Sequence, residues 1–524
     1  MTKGESLGDA YAATLSRIGA QPRSRSKLGM EVLMWVSHAE RPLHVDELCQ
    51  ALGVEEGSID LNIRDIPAIE TLLACSLGLV TVEKSSSTVR LVHYTLQEYL
   101  SHNPNLFLKP HTMMAEVCLT YLNFPHVRGF SPALRSAPPT ARFVEYASCY
   151  WGIHVSRVNN ERVKALALKL LDGYDKHISS KILLLRGVRE WDWPFDLEDT
   201  PRGFSGLHGA AYLGCVEITV ALLETNKWDV QATDFNGATA VAWAARRGQE
   251  EVVRILLKCS GVSPDTADTK YGQTPLSLAA ETGHERVVRT LLERDDINPD
   301  KADVWNQTPL LWAAMGGHEG VVRMLLERKD VNPNTVDEWN RAPLLLATKN
   351  GHAGVVKVLL ERNDVNPDQA DVWNQTPLLL AAMEGHQESM KMLLEREDVN
   401  PNTADEWSRT PLWLASMGGH EEAVRMLLER KDIDPSAGSE RSRTPLTLAA
   451  ENGHKGVMDM LLEWNELNPD KADKRSPSRL SLSEKLIDAR VDLIRTYCAW
   501  AKICADKSSM ATQPSAQLHP LGTT

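Results

Sequence analysis

The sequence predicts a mainly α-helical protein, in which a winged-helix and helical region precedes a solenoid of about eight repeats at 201–475. A period of 34 residues predicts the solenoid, because Thr-Pro-Leu, Gly-His and Leu-Leu-Glu recur in that order along the second half of the chain. A different pattern before residue 200, with helices followed by two short strands, predicts the separate N-terminal region. A chain of 524 residues is also too long for one ordinary core.

Composition disfavours several classes of function. The formal net charge of −13 argues against a nucleic-acid partner, since such binding depends largely on Lys and Arg meeting phosphate. The longest apolar run, TLLACSLGLVTV, is too short to span a bilayer, and the N-terminus lacks the apolar segment of a secretory signal. The eight cysteines form no Cys-x-x-Cys pair and are typical of reduced intracellular thiols. We therefore expect a cytoplasmic monomer, with import into the nucleus left open, that binds neither membrane nor nucleic acid.

Residues 28–103 have the element order of a winged helix. KLGMEVLMWVSHA and HVDELCQALGV are helical, and IPAIETLLACSLGLVTVE runs from a helix into a strand. KSSS is a turn, TVRLVHY is a returning strand, and TLQEYL is helical again. The helix before the wing, predicted at Ile66–Leu77, carries Glu70 and no Lys or Arg. With four basic against eleven acidic residues between Leu28 and Asn103, this domain is not expected to read DNA.

The same segment resembles the winged helix that follows the NACHT NTPase domain in fungal NOD-like receptor (STAND) proteins. The resemblance rests on VLMWVSHAERPLHVDELCQAL, IPAIETLLACSLGLVTVEKSSSTVRLVHYTLQEYL and CLTYLNF. AYAATLSRIGAQPRSRSKLG is similar to the last NACHT helix, which makes 1–27 a helical remnant, and FVEYASCYWGIHV is similar to the helical linker, assigned to 104–200. The family name of this winged helix mentions a GPI inositol-deacylase, but that activity belongs to another region.

A NACHT domain requires the phosphate loop G-x-x-x-x-G-K-[ST], and that string does not occur in this chain. The resemblance therefore covers only the C-terminal part of such a receptor. The chain is either a naturally short paralogue or the product of a gene model that begins too late, and both alternatives stay open. The winged helix is expected to offer a docking surface to a NACHT domain.

Each repeat is predicted to contain two short helices and a turn. In the unit that begins at Thr308, the hydroxyl suits an N-cap, and Pro309 suits the first helical position, where no N–H is required. Gly317 suits a left-handed position at the helix C-terminus. The second helix, EGVVRMLLER, has its apolar residues on one side. Helices this short are marginal alone, so each unit must bury its face on its neighbours.

This pattern resembles the ankyrin repeat, D-x-x-G-x-T-P-L-H-x-A-A-x-x-G-H followed by an apolar helix, over about half of the chain. The Gly of D-x-x-G is replaced by Asn306, Asn340 and Asn374, which is tolerable because Asn visits left-handed conformations. Ser408 and Ser442 are less suited to that position.

Two further features of the repeats are interpreted as structural. Ala342 lacks the hydroxyl found at its sister positions, which should cost about 0.5–2 kcal/mol of local stability. The His of each Gly-His pair recurs every 34 residues, a spacing that could suggest metal ligands. Successive units stack roughly 8–10 Å apart, whereas Zn²⁺ ligands lie about 2 Å from the ion. The series is therefore predicted to brace turns, and no metal or cofactor is predicted.

One column of aromatic residues suggests a binding surface. In an ankyrin repeat, the residues before Thr-Pro-Leu form the tip of a β-hairpin finger. At the third position of D-x-x-G, successive units carry Asn236, Tyr271, Trp305, Trp339, Trp373, Trp407 and Arg441. Two compatible readings stay open: the column contacts a protein ligand, or its rings stack between fingers and stabilise the array.

Positions beside this column alternate with a period of two repeats. The second position carries Val304, Glu338, Val372 and Glu406, and the position after the Gly slot carries Gln307, Arg341, Gln375 and Arg409. Together with DVWNQTPLL at both 303–311 and 371–379, the alternation indicates duplication of a 68-residue pair of units. Methionines at the end of the first helix stand at another position that ankyrin repeats use for contact. The candidate partner-binding residues are Tyr271, Trp305, Trp339, Trp373, Trp407, Arg341, Arg409, Met315, Met383 and Met417.

No catalytic residue is predicted. Gly4-Glu5-Ser6-Leu7-Gly8 fits the nucleophile elbow G-x-S-x-G, but no buried strand precedes it and no βα series follows. Residues 476–524 are predicted to contain a helix near Leu482–Ile503 and a disordered tail.

The sequence thus predicts a non-enzymatic protein–protein recognition module, the sensor half of a NACHT–ankyrin receptor-like protein. Its ankyrin array is expected to bind a protein ligand on the finger and inner-helix face. The alternative is a free-standing ankyrin adaptor or scaffold in signalling or ubiquitin transfer.

Overall fold

The computed structural model describes residues 7–55, 57–132, 134, 138–187, 201–435 and 444–468. The protein is mainly helical, as predicted, and forms two compact units, Met1–Trp305 and Asn306–Thr524. Within the described ranges, no helix combines the length and the apolar character that crossing a bilayer requires. Ser6, Arg441, Ser442 and the helix predicted near Leu482–Ile503 lie outside the described residues.

The first unit begins with the predicted winged-helix region. Its elements are α1 (Leu7–Gly19), α2 (Arg23–His38), β1 (Leu43–His44), α3 (Val45–Leu52), α4 (Ile69–Cys75), β2 (Val80–Glu83), β3 (Thr88–Leu91) and α5 (Tyr94–His102). The strands form an antiparallel sheet in the order β1-β3-β2, in which Val89 lies opposite both Leu43 and Val82. Strand β1 was not predicted, because two residues are too few to show a periodicity.

Helix α1 packs on the winged-helix region. The hydroxyl oxygen of Tyr11 is 2.8 Å from that of Thr95, and the Tyr11 ring lies 5.7 Å from the ring of Tyr99 on α5. Position 28, where the winged helix was predicted to begin, falls inside α2. The segment before position 28 therefore packs directly on the winged helix.

The helix before the wing is shorter than the predicted Ile66–Leu77. Pro67 disfavours a helical conformation for Ile66, which is extended at φ −74° and ψ 112°, and α4 begins only at Ile69. At the other end, Leu77 adopts a φ of 47°, a left-handed conformation that cannot continue the helix. The predicted helix ends were therefore wrong.

A helical region follows in the first unit. Its helices are α6 (Pro110–Leu122), α7 (Pro125–Arg128), α8 (Phe143–Ser156), α9 (Glu161–Leu171) and α10 (Ile178–Gly187). The fully buried Trp35 of α2 makes edge contacts with Phe143 and Tyr146 of α8, at ring-centroid distances of 5.7 and 6.0 Å. These aromatic contacts join the winged helix to the helical region through a shared core.

Helix pairs with the predicted repeat pattern occupy both units. The first unit contains α11 (Gly206–Leu213), α12 (Val216–Glu224), α13 (Ala240–Arg246), α14 (Glu250–Leu257), α15 (Pro275–Thr282) and α16 (Glu285–Leu292). The second contains α17 (Pro309–Gly316), α18 (Glu319–Leu326), α19 (Pro343–Lys349), α20 (Ala353–Leu360), α21 (Pro377–Glu384), α22 (Gln387–Leu394), α23 (Pro411–Gly418), α24 (Glu421–Leu428), α25 (Pro445–Asn452) and α26 (Lys455–Leu467).

The local signals of the repeat act as predicted. The Thr308 hydroxyl accepts from the N–H of Leu311, whereas Ala342 has the same extended backbone and no side-chain cap. Gly317 adopts a φ of 75°, and a Cβ there would lie 2.6 Å from Nδ1 of His352. A side chain at this position would therefore be strained and would also collide with the next repeat.

The histidine series has a structural role, as predicted, but its hydrogen bonds reach the preceding repeat instead of staying within one turn. In the second unit, Nε2 of His352 donates to the carbonyl of Met315 at 3.0 Å, and Nε2 of His420 donates to the carbonyl of Met383 at 3.1 Å. Each bond satisfies a carbonyl at the end of the preceding inner helix, where no intrahelical donor is available.

Candidate functional site

In the second unit, the three described fingers are each shaped by one buried aspartate, Asp337, Asp371 or Asp405. Oδ1 of Asp337 accepts the backbone N–H groups of Trp339 and Arg341, at 3.0 and 2.9 Å. Asn340, between them, has a φ of 60°, the left-handed conformation that the sequence predicts for this position. The turn therefore presents residue 338 and the Trp339 side chain at the tip of the hairpin.

Hydrogen bonds join successive fingers into a ladder. The N–H of Val372 donates to the carbonyl of Trp339 at 3.0 Å, and the N–H of Glu406 donates to the carbonyl of Trp373 at 3.1 Å. The side-chain amide of Asn340 donates to the carbonyl of Ala370 at 2.6 Å. Because these backbone groups are satisfied within the array, the tips form a rigid surface rather than a row of loose loops.

In the first unit, the aromatic column stacks. The rings of Tyr271 and Trp305 are 5.4 Å apart at an interplanar angle of 27°, and Nζ of Lys270 lies 4.8 Å from the Tyr271 centroid. Val304 donates its N–H to the carbonyl of Tyr271 at 2.9 Å. The stacking interpretation therefore holds for this pair of rings.

In the second unit, the tryptophans have different surroundings. No ring pair forms among Trp339, Trp373 and Trp407, all three of which the structure describes. Trp373 is 39% exposed and Trp407 is 48% exposed, whereas Trp339 is half-buried. Contact between neighbouring rings therefore does not account for the column in this unit, and two of its indoles remain accessible.

The two candidate arginines are held within their own fingers. Nε and Nη2 of Arg341 contact Oδ2 of Asp337 at 2.7 and 2.6 Å, and its guanidinium carbon lies 4.5 Å from the Trp339 centroid. Arg409 repeats this arrangement with its own finger's aspartate and tryptophan. Each arginine neutralises a buried carboxylate and covers one face of an indole.

The second finger position contributes exposed side chains that were noted in the sequence but not chosen as site residues. Val304 is 58% exposed in the first unit and Val372 is 53% exposed in the second. Glu338 and Glu406 are also exposed. The alternation of Val and Glu at this position was the sequence pattern that could have identified these residues. In the structure they are exposed at the tips of the fingers.

The three candidate methionines lie at the ends of inner helices. Met315 is half-buried, and Met383 packs against a core cluster that includes Trp413 and Leu414. Met417 is 36% exposed, and its carbonyl accepts from Nε2 of His454. Met417 therefore offers an accessible thioether, whereas Met383 also fills space between repeats.

Helix pairs joined by hydrogen-bonded fingers define a repeat solenoid of the class that mediates protein–protein interactions. The family model for ankyrin repeats (3 copies) matches residues 170–268, 207–303, 257–337, 310–405 and 397–474. These matches cover more than half of the chain, which therefore belongs to the ankyrin-repeat family.

The N-terminal region has its own match. The family model described as GPI inositol-deacylase, winged helix domain, matches residues 18–107, so this segment is a winged-helix domain of that NACHT-associated type. No curated protein matches the chain. Ankyrin-repeat architecture is typically non-enzymatic.

Proposed function

We propose that this chain is a non-enzymatic recognition protein whose ankyrin array binds a protein ligand through its finger tips and inner helices. The observation that carries the proposal is the exposure of Val372, Trp373 and Trp407 on fingers whose backbone is already hydrogen-bonded. Apolar side chains on a rigid frame lose little conformational freedom when a partner covers them. Tryptophan is also among the residues that most often dominate binding energy.

The charges at the tips indicate the chemistry of the ligand. Glu338 and Glu406 are exposed, whereas Arg341 and Arg409 are already paired with buried aspartates. The accessible surface of the described tips in the second unit therefore combines apolar and acidic groups. A ligand that presents apolar side chains flanked by Lys or Arg is complementary to it.

A second part of the proposal concerns the winged helix, which we infer docks on a NACHT-type NTPase domain. Several apolar side chains of this domain are exposed: Ile59 and Ile63 are each 83% exposed and Tyr94 is 69% exposed. The order of winged helix, helical region and ankyrin repeats supports the role of a sensor half in a cytoplasmic NACHT–ankyrin receptor-like protein.

Affinity capture with matched variants tests the recognition surface. The test variant combines Trp373→Ser and Trp407→Ser, and the control combines Lys391→Ser on α22 with Glu395→Ser immediately after it, because both side chains are exposed. We expect wild type and control to retain the same partner, and the tryptophan variant to bind it at least tenfold more weakly. Equal retention by all three proteins would place the recognition surface elsewhere.

A NACHT domain produced separately tests the docking proposal. Tyr94→Ser should weaken its binding to this chain without changing ligand capture by the array. Capture of a ligand without any binding of the NACHT domain would instead favour the free-standing adaptor or scaffold.

A further inference from the structure

A chain of polar side chains lies where the end of α2 meets α6 and α8 in the first unit. Nη1 of Arg157 donates to Oε1 of Glu40 at 2.6 Å and to Nε2 of His111 at 3.2 Å. Nδ1 of His111 and Nδ1 of His154 are 3.0 Å apart, and Nε2 of His154 is 3.0 Å from the hydroxyl of Tyr146. The Tyr146 hydroxyl also accepts the backbone N–H of Glu40 at 3.1 Å.

The direction of these bonds follows from the arginine. A guanidinium can only donate, so Nε2 of His111 must accept, and the proton of that imidazole is on Nδ1. His154 must then accept at Nδ1 and donate from Nε2 to the Tyr146 hydroxyl. This arrangement satisfies every contact only while both imidazoles are neutral. A proton added to His154 would set two N–H groups against each other at 3.0 Å.

The surroundings oppose such a proton. Burial, followed by His111, Arg157 and His38, lowers the pKa of His154 to about 3. Burial is also the main cause that lowers the pKa of His111 and of His38. Glu40 favours the charged form of His111, but its carboxylate is already paired with Arg157. The titratable and charged groups facing the network or its tyrosine are His38, Glu40, Arg41, His111, Cys118, Tyr146, His154 and Arg157.

A metal ion fits this cluster less well than a proton-dependent network does. Ligand atoms of Glu40, His111 and His154 lie within 4.8 Å of one another. However, the Arg157 cation contacts both Glu40 and the free lone pair of His111. A divalent ion would have to displace that cation, whereas the hydrogen bonds of the network form without a metal ion.

We infer that this network is a proton-sensitive joint between the winged-helix domain and the helical region, closed while His111 and His154 are neutral and opened by their protonation. Glu40 follows α2, whereas the two histidines belong to α6 and α8. Opening would therefore loosen the winged-helix domain from the helices that connect it to the repeats. This inference does not depend on the ligand or the NACHT partner proposed above.

The direction of the pH effect follows from the lowered pKa values. The ordinary histidine pKa is 6.5, and the values in the folded protein lie below it. The closed joint is therefore fully stable above about pH 6.5 and loses stability as the pH falls below that value. The opening constant is the ratio of open to closed joint. As the pH falls below about 6.5, it should rise roughly tenfold per pH unit for each proton that is taken up only on opening.

Hydrogen exchange on the full chain at pH 7.5 and 5.0, corrected for the intrinsic pH dependence of exchange, tests the joint. We expect the opening constants of amides in α6 and α8 to rise at least tenfold at the lower pH. The double variant His111→Phe/His154→Phe keeps aromatic rings but cannot take up protons at these two positions, so its response should be smaller than that of the wild type. The control His208→Phe removes another buried histidine, whose pKa is lowered to about 4, from the first repeat helix. It should leave the response of α6 and α8 unchanged.

Arg157→Met provides a second measurement if the double variant does not fold, because the Arg157 side chain is 45% exposed and can be replaced at the surface. Removing this cation, which lowers the pKa of both histidines in the closed joint, should bring these pKa values closer to 6.5 and so weaken the rise of the opening constant between pH 7.5 and 5.0. The inference would be overturned by equal opening constants at the two pH values in the wild type, by an undiminished response in the double variant, or by an undiminished response in Arg157→Met.

Discussion

Arg341 covers the indole of Trp339 and at the same time neutralises Asp337, whose side chain is fully buried. The guanidinium carbon lies 4.5 Å from the ring centroid, and Nη2 lies 2.6 Å from Oδ2 of the aspartate. Arg409 makes the same two contacts two repeats later, with Trp407 and Asp405. The alternation of Gln and Arg at this position therefore changes the contacts within the finger, in addition to its proposed effect on binding.

We expect Arg341→Ala to lower the free energy of unfolding by about 1–3 kcal/mol, because it leaves a buried carboxylate without its cation. The matched control is Arg323→Ala, which removes an arginine that is 50% exposed and paired with the exposed Glu319. The control should change stability by less than about 1 kcal/mol, since exposed ion pairs contribute little. Urea denaturation followed by circular dichroism measures the free energy of unfolding of both variants. Equal effects would mean that the contacts of Arg341 with Asp337 and Trp339 do not stabilise the finger.

Ala342→Thr should raise the free energy of unfolding by about 0.5–2 kcal/mol. The backbone at Ala342, with φ −80° and ψ 163°, matches that of the capping Thr308, so the new hydroxyl can accept the N–H of Leu345. Ala342→Val is the control, because it adds similar volume without an acceptor. A midpoint of denaturation that rises equally in both variants would attribute the gain to packing instead of capping.

Asp368→Asn should stabilise the second unit at neutral pH. At the equivalent position, Asn402 accepts the N–H of Asp434 and donates to the carbonyl of Asp432, at 2.7 Å each. Asp368 accepts the N–H of Asn400, but its buried Oδ1 has no partner. We expect a gain of about 1 kcal/mol in the free energy of unfolding, because an amide can donate where the carboxylate cannot.

The pH dependence of that gain has a definite sign. Burial raises the pKa of Asp368 above its ordinary value of 3.8, so ionisation destabilises the folded state as the pH rises through the raised value. The advantage of Asp368→Asn should therefore be largest at neutral pH and shrink towards pH 3.8. The reciprocal change Asn402→Asp should destabilise the unit, and denaturation of both variants at pH 4 and pH 7 checks the pair. A stabilising Asn402→Asp would contradict this reasoning.

Features that depend on a few adjacent residues could be predicted from the sequence. The cap at Thr308, the left-handed Asn306 and the turn at Gly317 are each determined by local backbone chemistry. The finger of Asp268 is an exception within the repeats, because Asp268 stands six positions before Thr274, whereas Asp303 stands five before Thr308. One added residue alters a hairpin without disturbing the periodic helices on either side.

Features that depend on distant or oriented side chains could not be predicted. The network of Glu40, His111, Tyr146 and His154 joins residues more than 100 positions apart, and no local pattern signals it. The sequence suggested Arg341 as a partner-binding residue, but its spacing to Asp337 did not reveal that the turn brings the two together. The binding role of the column stays a prediction, and the exposure of Trp373 supports it.

The finger surface of the modular array is proposed to recognise the partner. Removing Asp303–Ala370, one 68-residue block, joins Ala302 to Asp371 at a repeat boundary and leaves the end repeats intact. Circular dichroism should show a folded, cooperatively unfolding protein with proportionally less helix, because solenoid stability is roughly a sum over repeats and their interfaces. The column would then retain Tyr271, Trp373 and Trp407.

The decisive measurement is the ratio of dissociation constants for the captured partner, determined by titration calorimetry on the wild type and on this deletion variant. Loss of the central anchors predicts binding at least tenfold weaker by a variant that remains folded. A folded variant that binds with unchanged affinity would contradict the claim that the aromatic finger column forms the recognition surface.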